Sequence, residues 1–459
     1  MVIRPSVPED AARDAEFDRE FEMLQGLVDW RELDRLFPMR GNAVYSSSVV
    51  LWMLVFQRMN AKKSTLQAAV KMFLKDKPSF VPPNKRVDED SLSPNTGAYS
   101  RGRTRVALDA AYWLHDRVAQ SLIEATEPSF DGRRAYLLDG TTITLAPVHE
   151  LQKKFPPASN QLGESIFPTA LLVVAHELAS GIALRPAIGA MYGENAISET
   201  ALFGEVIGQL PEDGIAVADA GFGIFWVAWE ANKASRDFLL RMTKSRFMAL
   251  RRNATVITRG TDFTTYSHKW IPSAKERKNH PKLPDDAVLE VRLHEVHIHG
   301  SLTLYLVTGM PHSAKRMSDL YMCRVNVEVD IRNVKVVLNT ETIAAKSEKM
   351  FLKELLTSMV AYNLVGQFRR QAAKMAKVPP RRLSFTKTWT TFQTFLWSSL
   401  YTNAVECRTE YHRALKCAMK DKLPNRPGRS YEREAYQKRH KSANFKKRKR
   451  RNAAPIPES

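Results

Sequence analysis

Residues 135–145 read Ala-Tyr-Leu-Leu-Asp-Gly-Thr-Thr-Ile-Thr-Leu. Apolar and β-branched side chains dominate, which predicts a strand. Asp139 closes the apolar run, and a carboxylate in so apolar a setting is costly unless paired or metal-bound. Working outward, 168–177 and 181–188 are two further apolar segments, joined by a short turn at 179–181. The stretch 194–210 predicts a helix, 214–218 a short buried strand, 223–234 a helix and 238–242 a strand. The order is three strands, helix, strand, helix, strand. This predicts an α/β fold with a mixed-sheet core, and the order matches a ribonuclease-H-like arrangement.

The rest of the chain divides around that core. Residues 1–130 read as helical, with an apolar segment at 46–59, a second helix capped by Ser64, and a longer helix over 100–127. The first two resemble a helix-turn-helix, and the region serves either DNA ends or plain helix packing. Residues 131–249 form the first part of the core, and 250–312 a β-rich insertion. Residues 313–378 return to core helices, 379–420 form a helical C-terminal region, and 421–459 a basic tail expected to be disordered.

Net charge is +20, which favours a polyanionic partner. Residues 421–452 hold 13 Lys or Arg against 3 acids, whereas the first 36 residues hold 10 acids against 5 bases. A basic tail attracts phosphates without sequence choice, or is simply solvated. Cys323, Cys407 and Cys417 form neither a disulfide framework nor a zinc spacing. The opening MVIRPSVPEDAARD lacks a basic and an apolar signal region, and 49–56 is too short to span a bilayer. The expectation is a cytoplasmic, nucleoid-associated protein with no membrane partner.

Metal-assisted phosphodiester cleavage needs converging carboxylates, and Mg²⁺ favours oxygen ligands. Asp139 is one candidate. Asp219 ends the predicted strand 215–218, and Gly221 and Gly223 permit a tight turn into the next helix. Acids at strand ends can meet where ligands bind in such sheets, although a turn or cap Asp is the commoner reading of either alone. The third candidate, Glu328, lies on a predicted helix over 319–337 with Tyr321, Arg324 and Lys335. At about 100° per residue these four share a stripe about 60° wide, which passes Asn339. Glu328 can hold a metal while Arg324 and Lys335 clamp phosphates. A solvated face with an Arg–Glu pair four residues apart fits the same spacing.

The spacing Tyr321-x2-Arg324-x3-Glu328-x6-Lys335 resembles the signature of the insertion-sequence-four family of DDE transposases. Asp139 and Asp219 precede it in the family's order, and a β-rich insertion lies between. The resemblance covers about residues 95–370. It implies a cut-and-paste DNA transposase, with Asp139, Asp219 and Glu328 as the catalytic and metal-binding triad. Two Mg²⁺ would be bound, with Mn²⁺ able to substitute. Tyr321, Arg324 and Lys335 would contact the DNA backbone. The resemblance further implies a base-stacking Trp in the insertion; Trp270 is the candidate, and packing in a half-buried sheet is the plainer reading. The implied partners are double-stranded DNA, as terminal inverted repeats and target, and a second copy of the chain in a homodimer. The alternative is a catalytically inactive, transposase-derived DNA-binding protein. Ala220 departs from the family, which more often has a larger or polar residue there.

Two features point elsewhere. His294-Glu295-Val296-His297-Ile298-His299 suggests a metal site, but strand alternation explains it better. Asp330 lies two residues past Glu328, about 200° around a helix, so it cannot replace Glu328.

Overall fold

The computed structural model describes residues 18, 21–24, 26–39, 43–59, 65–75, 77–160, 163–298, 302–337, 343, 345–399 and 404–424. Ser64, His299, Asn339 and the basic tail beyond residue 424 lie outside the described residues. The fold is mixed α/β, built on a ten-stranded sheet. The strands are β1 (Ala135–Thr144), β2 (Pro157–Asn160), β3 (Gly163–Glu177), β4 (Ala187–Ala190), β5 (Ile215–Ala218) and β6 (Asp237–Arg241). They continue as β7 (Thr255–Arg259), β8 (Phe263–Trp270), β9 (Leu289–His297) and β10 (Thr303–Thr308). The sheet order is β2-β3-β1-β5-β6-β10-β9-β8-β7, with β4 pairing with β3 off that path. Only β1-β5-β6 run parallel; the remaining pairs are antiparallel.

The insertion is therefore continuous with the sheet. Strand β10 pairs with β6 on one side, Leu306 facing Arg241, and with β9 on the other. Of the segment 181–188, only its last residues enter β4. Before that, Ile182 and Leu184 bond back to the end of β3, Ala183 is held by Asn363, and Pro186 has no N–H to give.

Helices cover both faces. The N-terminal set comprises α1 (Ser47–Met59), α2 (Leu66–Lys75), α3 (Gly97–Arg105) and α4 (Leu108–Glu124). The predicted helix over 100–127 is thus two helices, parted at Val106 and Ala107. Within the core are α5 (Glu199–Ile207), α6 (Phe225–Lys233) and α7 (Lys244–Arg251). After the sheet come α8 (Ala314–Met322), α9 (Val325–Arg332), a π-helical turn (Asn333–Val337) and the long α10 (Glu348–Met375). A 3-10 turn (Pro380–Arg382), α11 (Phe385–Ser399) and α12 (Ala404–Ala418) follow. Helix α1 is buried almost all round, with Val49, Leu51, Met53 and Leu54 at 0% exposure, and it packs with α4 against α10. Arg103 of α3 donates to Glu354 of α10 at 2.5 Å, which ties the N-terminal helices to the core.

Strand periodicity sorts the core into two faces. On β1, Ala135 and Leu137 join one apolar cluster, and Tyr136 and Leu138 the other. On β5, Ile215 and Val217 join the first, and Ala216 and Ala218 the second. Burial on both faces is why these strands read as continuous apolar runs. The first cluster also holds Leu320, Tyr321 and Val327, so α8 and α9 cover that face. In the parallel register Leu137 faces Val217. Two residues on, Asp139 and Asp219 stand side by side, both on the α8–α9 face. Asp139 lies inside β1, which runs on to Thr144 against β3; it does not end the strand. Asp219 does follow the end of β5.

Two glycines lie in the turn after Asp219, and the second is required by close packing. Gly221 donates its N–H to Asp219 Oδ1 at 2.8 Å. Gly223 passes so close to β6 that an added Cβ would lie 2.1 Å from the Arg241 carbonyl oxygen. Backbone cannot retreat as a flexible side chain can. Gly223→Ala is expected to destabilise the protein by about 1–3 kcal/mol in urea unfolding; an unchanged midpoint would contradict this close approach.

Candidate active site

The predicted single helix over 319–337 is three pieces. Helix α8 ends at Met322, Cys323 and Arg324 form the corner, and α9 begins at Val325. The π-helical turn carries Lys335, half-buried, past the end of α9. Tyr321, Arg324 and Glu328 still share one side, with Arg324 pairing with Glu328 and lying near Tyr321, whereas the π-helical turn changes the winding before Lys335. Both corner residues keep right-handed helical dihedrals, and i→i+3 hydrogen bonds tighten the chain there. The Arg324 guanidinium meets three carboxylates. Arg324 Nη2 lies 2.9 Å from Asp139 Oδ2 and 3.7 Å from Asp219 Oδ2, and Nη1 lies 3.3 Å from Glu328 Oε1.

The three acids differ in depth. Side-chain exposure is 20% at Asp139, 38% at Asp219 and 58% at Glu328. Burial pushes the Asp139 carboxyl up. Arg324 and the Gly140 N–H, 2.9 Å from Asp139 Oδ1, pull it down, and the charges of Asp219 and Glu328 push it up again. Tyr321 is buried, at 6% exposure. Burial pushes its hydroxyl up, while Arg324 and Arg241 pull it down, Arg241 also through a side-chain hydrogen bond. Arg246, on α7, donates to the Ala220 carbonyl at 3.0 Å, beside Asp219.

A fourth carboxylate stands here, which the sequence reading passed over. Glu199, in the first turn of α5, packs against Gly140. A Cβ added to Gly140 would lie 2.1 Å from Glu199 Oε1. Burial pushes the Glu199 carboxyl up first, and the charges of Asp139 and Asp219 add to it. Its sequence signal is thin, since an acid at a helix start is commonplace. Three carboxylates thus gather around one guanidinium, and Glu199 stands beside two of them. Excess negative charge on oxygen donors suits hard divalent cations. Among the described residues, no three His, Cys, Asp or Glu side chains stand at ready-made metal-ligand spacing. The fit is therefore in donor type and charge.

Trp270 lies in the core. It is 3% exposed and meets Phe225 edge-on, with ring centroids 5.5 Å apart. A ring so enclosed has no open face for a base, so the packing reading describes it. In the His-rich strand each described side chain has its own partner. His294 is buried against Thr265 at 2.9 Å and pushed down to about 4 by that burial. His297 meets Thr303 at 3.1 Å, and Glu295 pairs with Arg251 at 2.9 Å.

No family model matches the chain. Over 305 residues it is 25% identical to the transposase InsG for insertion sequence element IS4 of Escherichia coli (strain K12). That match covers 63% of this chain and 65% of the relative, so the chain spans just under two thirds of that curated relative. Among solved structures, a piggyBac transposase synaptic complex with hairpin DNA aligns over 89% of this chain and 84% of that one. Its TM-score is 0.38 at 10% identity, too loose an overlap to bear on the argument. Among the described residues no helix is long and apolar enough to cross a membrane.

Glu199 has a pH signature. Its folded pKa is raised, so the folded state favours the protonated form. That stabilisation is full at acid pH and is lost as pH rises through the raised pKa. In EDTA at pH 8, Glu199→Gln is expected to raise the Tm by about 1–2 °C, and the gain should shrink toward pH 4. A Tm at pH 8 that is unchanged or lower would mean that the carboxylate is already compensated.

Proposed function

We propose that the chain is a DNA transposase that cleaves transposon ends and joins them to target DNA by cut-and-paste. One observation carries this: the Arg324 guanidinium lies within 3.7 Å of Asp139, Asp219 and Glu328, which come from a strand, a strand-to-helix turn and a helix far apart in sequence. The likeness to a curated transposase over 305 residues supports the reading. So does the strand order β4-β3-β1-β5-β6, with β3 antiparallel to β1 and β5 and β6 parallel to it, which suits a ribonuclease-H-like core.

Asp139, Asp219 and Glu328 would hold two Mg²⁺, for which Mn²⁺ can stand in. Such ions activate the attacking oxygen and stabilise the leaving one. The protein's own groups then have distinct tasks. Asp139 is the deepest acid and is pinned by the Gly140 N–H. Asp219 is fixed by the Gly221 N–H at the turn. Glu328, the most exposed, stands nearest to solvent and to incoming DNA. Arg324 neutralises the acids and, as an always-charged fork, is suited to a phosphate beside them. Tyr321 supports Arg324 and Arg241 from a buried position, and Lys335 supplies a further cation along the DNA backbone. Cutting two ends and joining them in concert calls for a homodimer on DNA.

The alternative, an inactive DNA-binding descendant, has no use for carboxylates crowded at a cost in repulsion. In the test, the full chain meets a supercoiled plasmid carrying the DNA that flanks its gene, with Mg²⁺ present. Glu328→Gln should lower nicking by at least about 10³-fold and leave DNA binding intact. Nicking by this variant at the parent rate would remove the assignment.

A further inference from the structure

We propose that Asp330 is a positioning residue, which sets the rotation of α9 and so presents Glu328 to the site. The inference rests on the catalytic reading of Glu328 above. Helix α9 is eight residues long, lies between the corner at Cys323–Arg324 and the π-helical turn, and buries only Val327 and Asp330. So short a helix has little stability of its own and is held by what its buried side chains grip. Val327 grips an apolar cluster, whose contacts have no direction. Asp330 grips charge.

Asp330 is fully buried. Arg381 Nη2, on the 3-10 turn, donates to Asp330 Oδ2 at 2.7 Å, and Arg369 Nη2, on α10, lies 3.9 Å from Oδ1. Arg381 is itself fixed to the end of β3, donating from Nη1 to the Leu178 carbonyl at 2.7 Å. Beside it, Glu177 accepts from the Ser180 N–H and hydroxyl at 2.6 and 2.7 Å. Tyr362 of α10 donates to the Gly181 carbonyl at 3.1 Å in the same turn. The carboxylate thus links α9 to three parts of the rigid core.

Two residues apart on a helix, Glu328 and Asp330 point to roughly opposite sides. One side of α9 meets Arg324 and the catalytic acids, and the other meets buried arginines. An apolar residue at 330 could pack as well or better, since a buried ion pair often adds little net stability. Its distinctive property is direction, because hydrogen-bond geometry fixes the rotation that apolar contact leaves loose. Small misplacement of a ligand-bearing side chain is enough to cost on the order of 10²-fold in rate.

The test uses the full chain in the plasmid-nicking assay, with Mn²⁺ binding to the protein–DNA complex followed by EPR. Asp330→Asn keeps the shape and removes the charge. Arg381→Gln removes the partner at a less buried position, and Arg381→Lys restores a cation. Asp330→Asn and Arg381→Gln should lower kcat by about 10–100-fold and raise the Mn²⁺ midpoint by on the order of tenfold. KM for DNA and the circular-dichroism spectrum should stay unchanged, and Arg381→Lys should recover part of the loss. If Asp330→Asn fails to fold, Arg381→Gln decides. Parent-like kcat and Mn²⁺ midpoint in the folded variants would overturn the proposal. So would a loss that merely follows the folded fraction. Glu328→Gln in the same assay separates the two readings. If it nicks normally, the catalytic assignment fails; if it is inactive while the Asp330 and Arg381 variants are normal, only the positioning role fails.

Discussion

Carboxylates repel one another, and in a partly buried cleft a positive charge allows them to crowd. Here that charge is Arg324. It lies at the tight link between two short helices and reaches Asp139, Asp219 and Glu328. Much of the surrounding architecture serves this meeting. The parallel register of β1 and β5 places Asp139 beside Asp219. Alternation along the strands sends both to the face that α8 and α9 cover. Gly140 leaves room for Glu199, and Gly223 lets the turn after Asp219 press against β6. Burial pushes Asp139 and Glu199 up first, and the neighbouring acids add to it.

A second ionic centre lies behind the first. Asp330, Arg369 and Arg381 are buried or nearly so, and they join α9, α10 and the 3-10 turn. The two centres share α9, one on each side of it. A short helix between the acidic cleft and a rigid ionic anchor has little freedom to rotate. The N-terminal helices are tied in by similar means, with Arg58 and Arg103 both pairing with Glu354 of α10. The long helix α10 is thus a common support for both regions.

The alternation of strands and helices in the core was legible because its strands are buried on both faces and read as apolar runs. Asp139 and Asp219 were legible as acids misplaced in such runs. The corner at Cys323–Arg324 was not, because both residues keep helical dihedrals, and the partners of Arg324 at 139 and 219 lie far away in the chain. Glu199 was hidden for the same reason: its meaning comes from Gly140, 59 positions away in the chain. Asp330 was read correctly as facing away from Glu328, but its partners at 369 and 381 follow only from packing. Trp270 was chosen as the one Trp of its segment, a criterion blind to burial.

The central claim is that Asp139, Asp219 and Glu328 form one cation-binding site. Fe²⁺ placed in that site and supplied with ascorbate and peroxide generates hydroxyl radicals, which cut nearby backbone. The account predicts scission of the full chain near residues 139, 219 and 328 together, suppressed by excess Mg²⁺ and lost in Asp139→Asn. Cleavage confined to the His294–His297 strand, or none at the three acids, would contradict it.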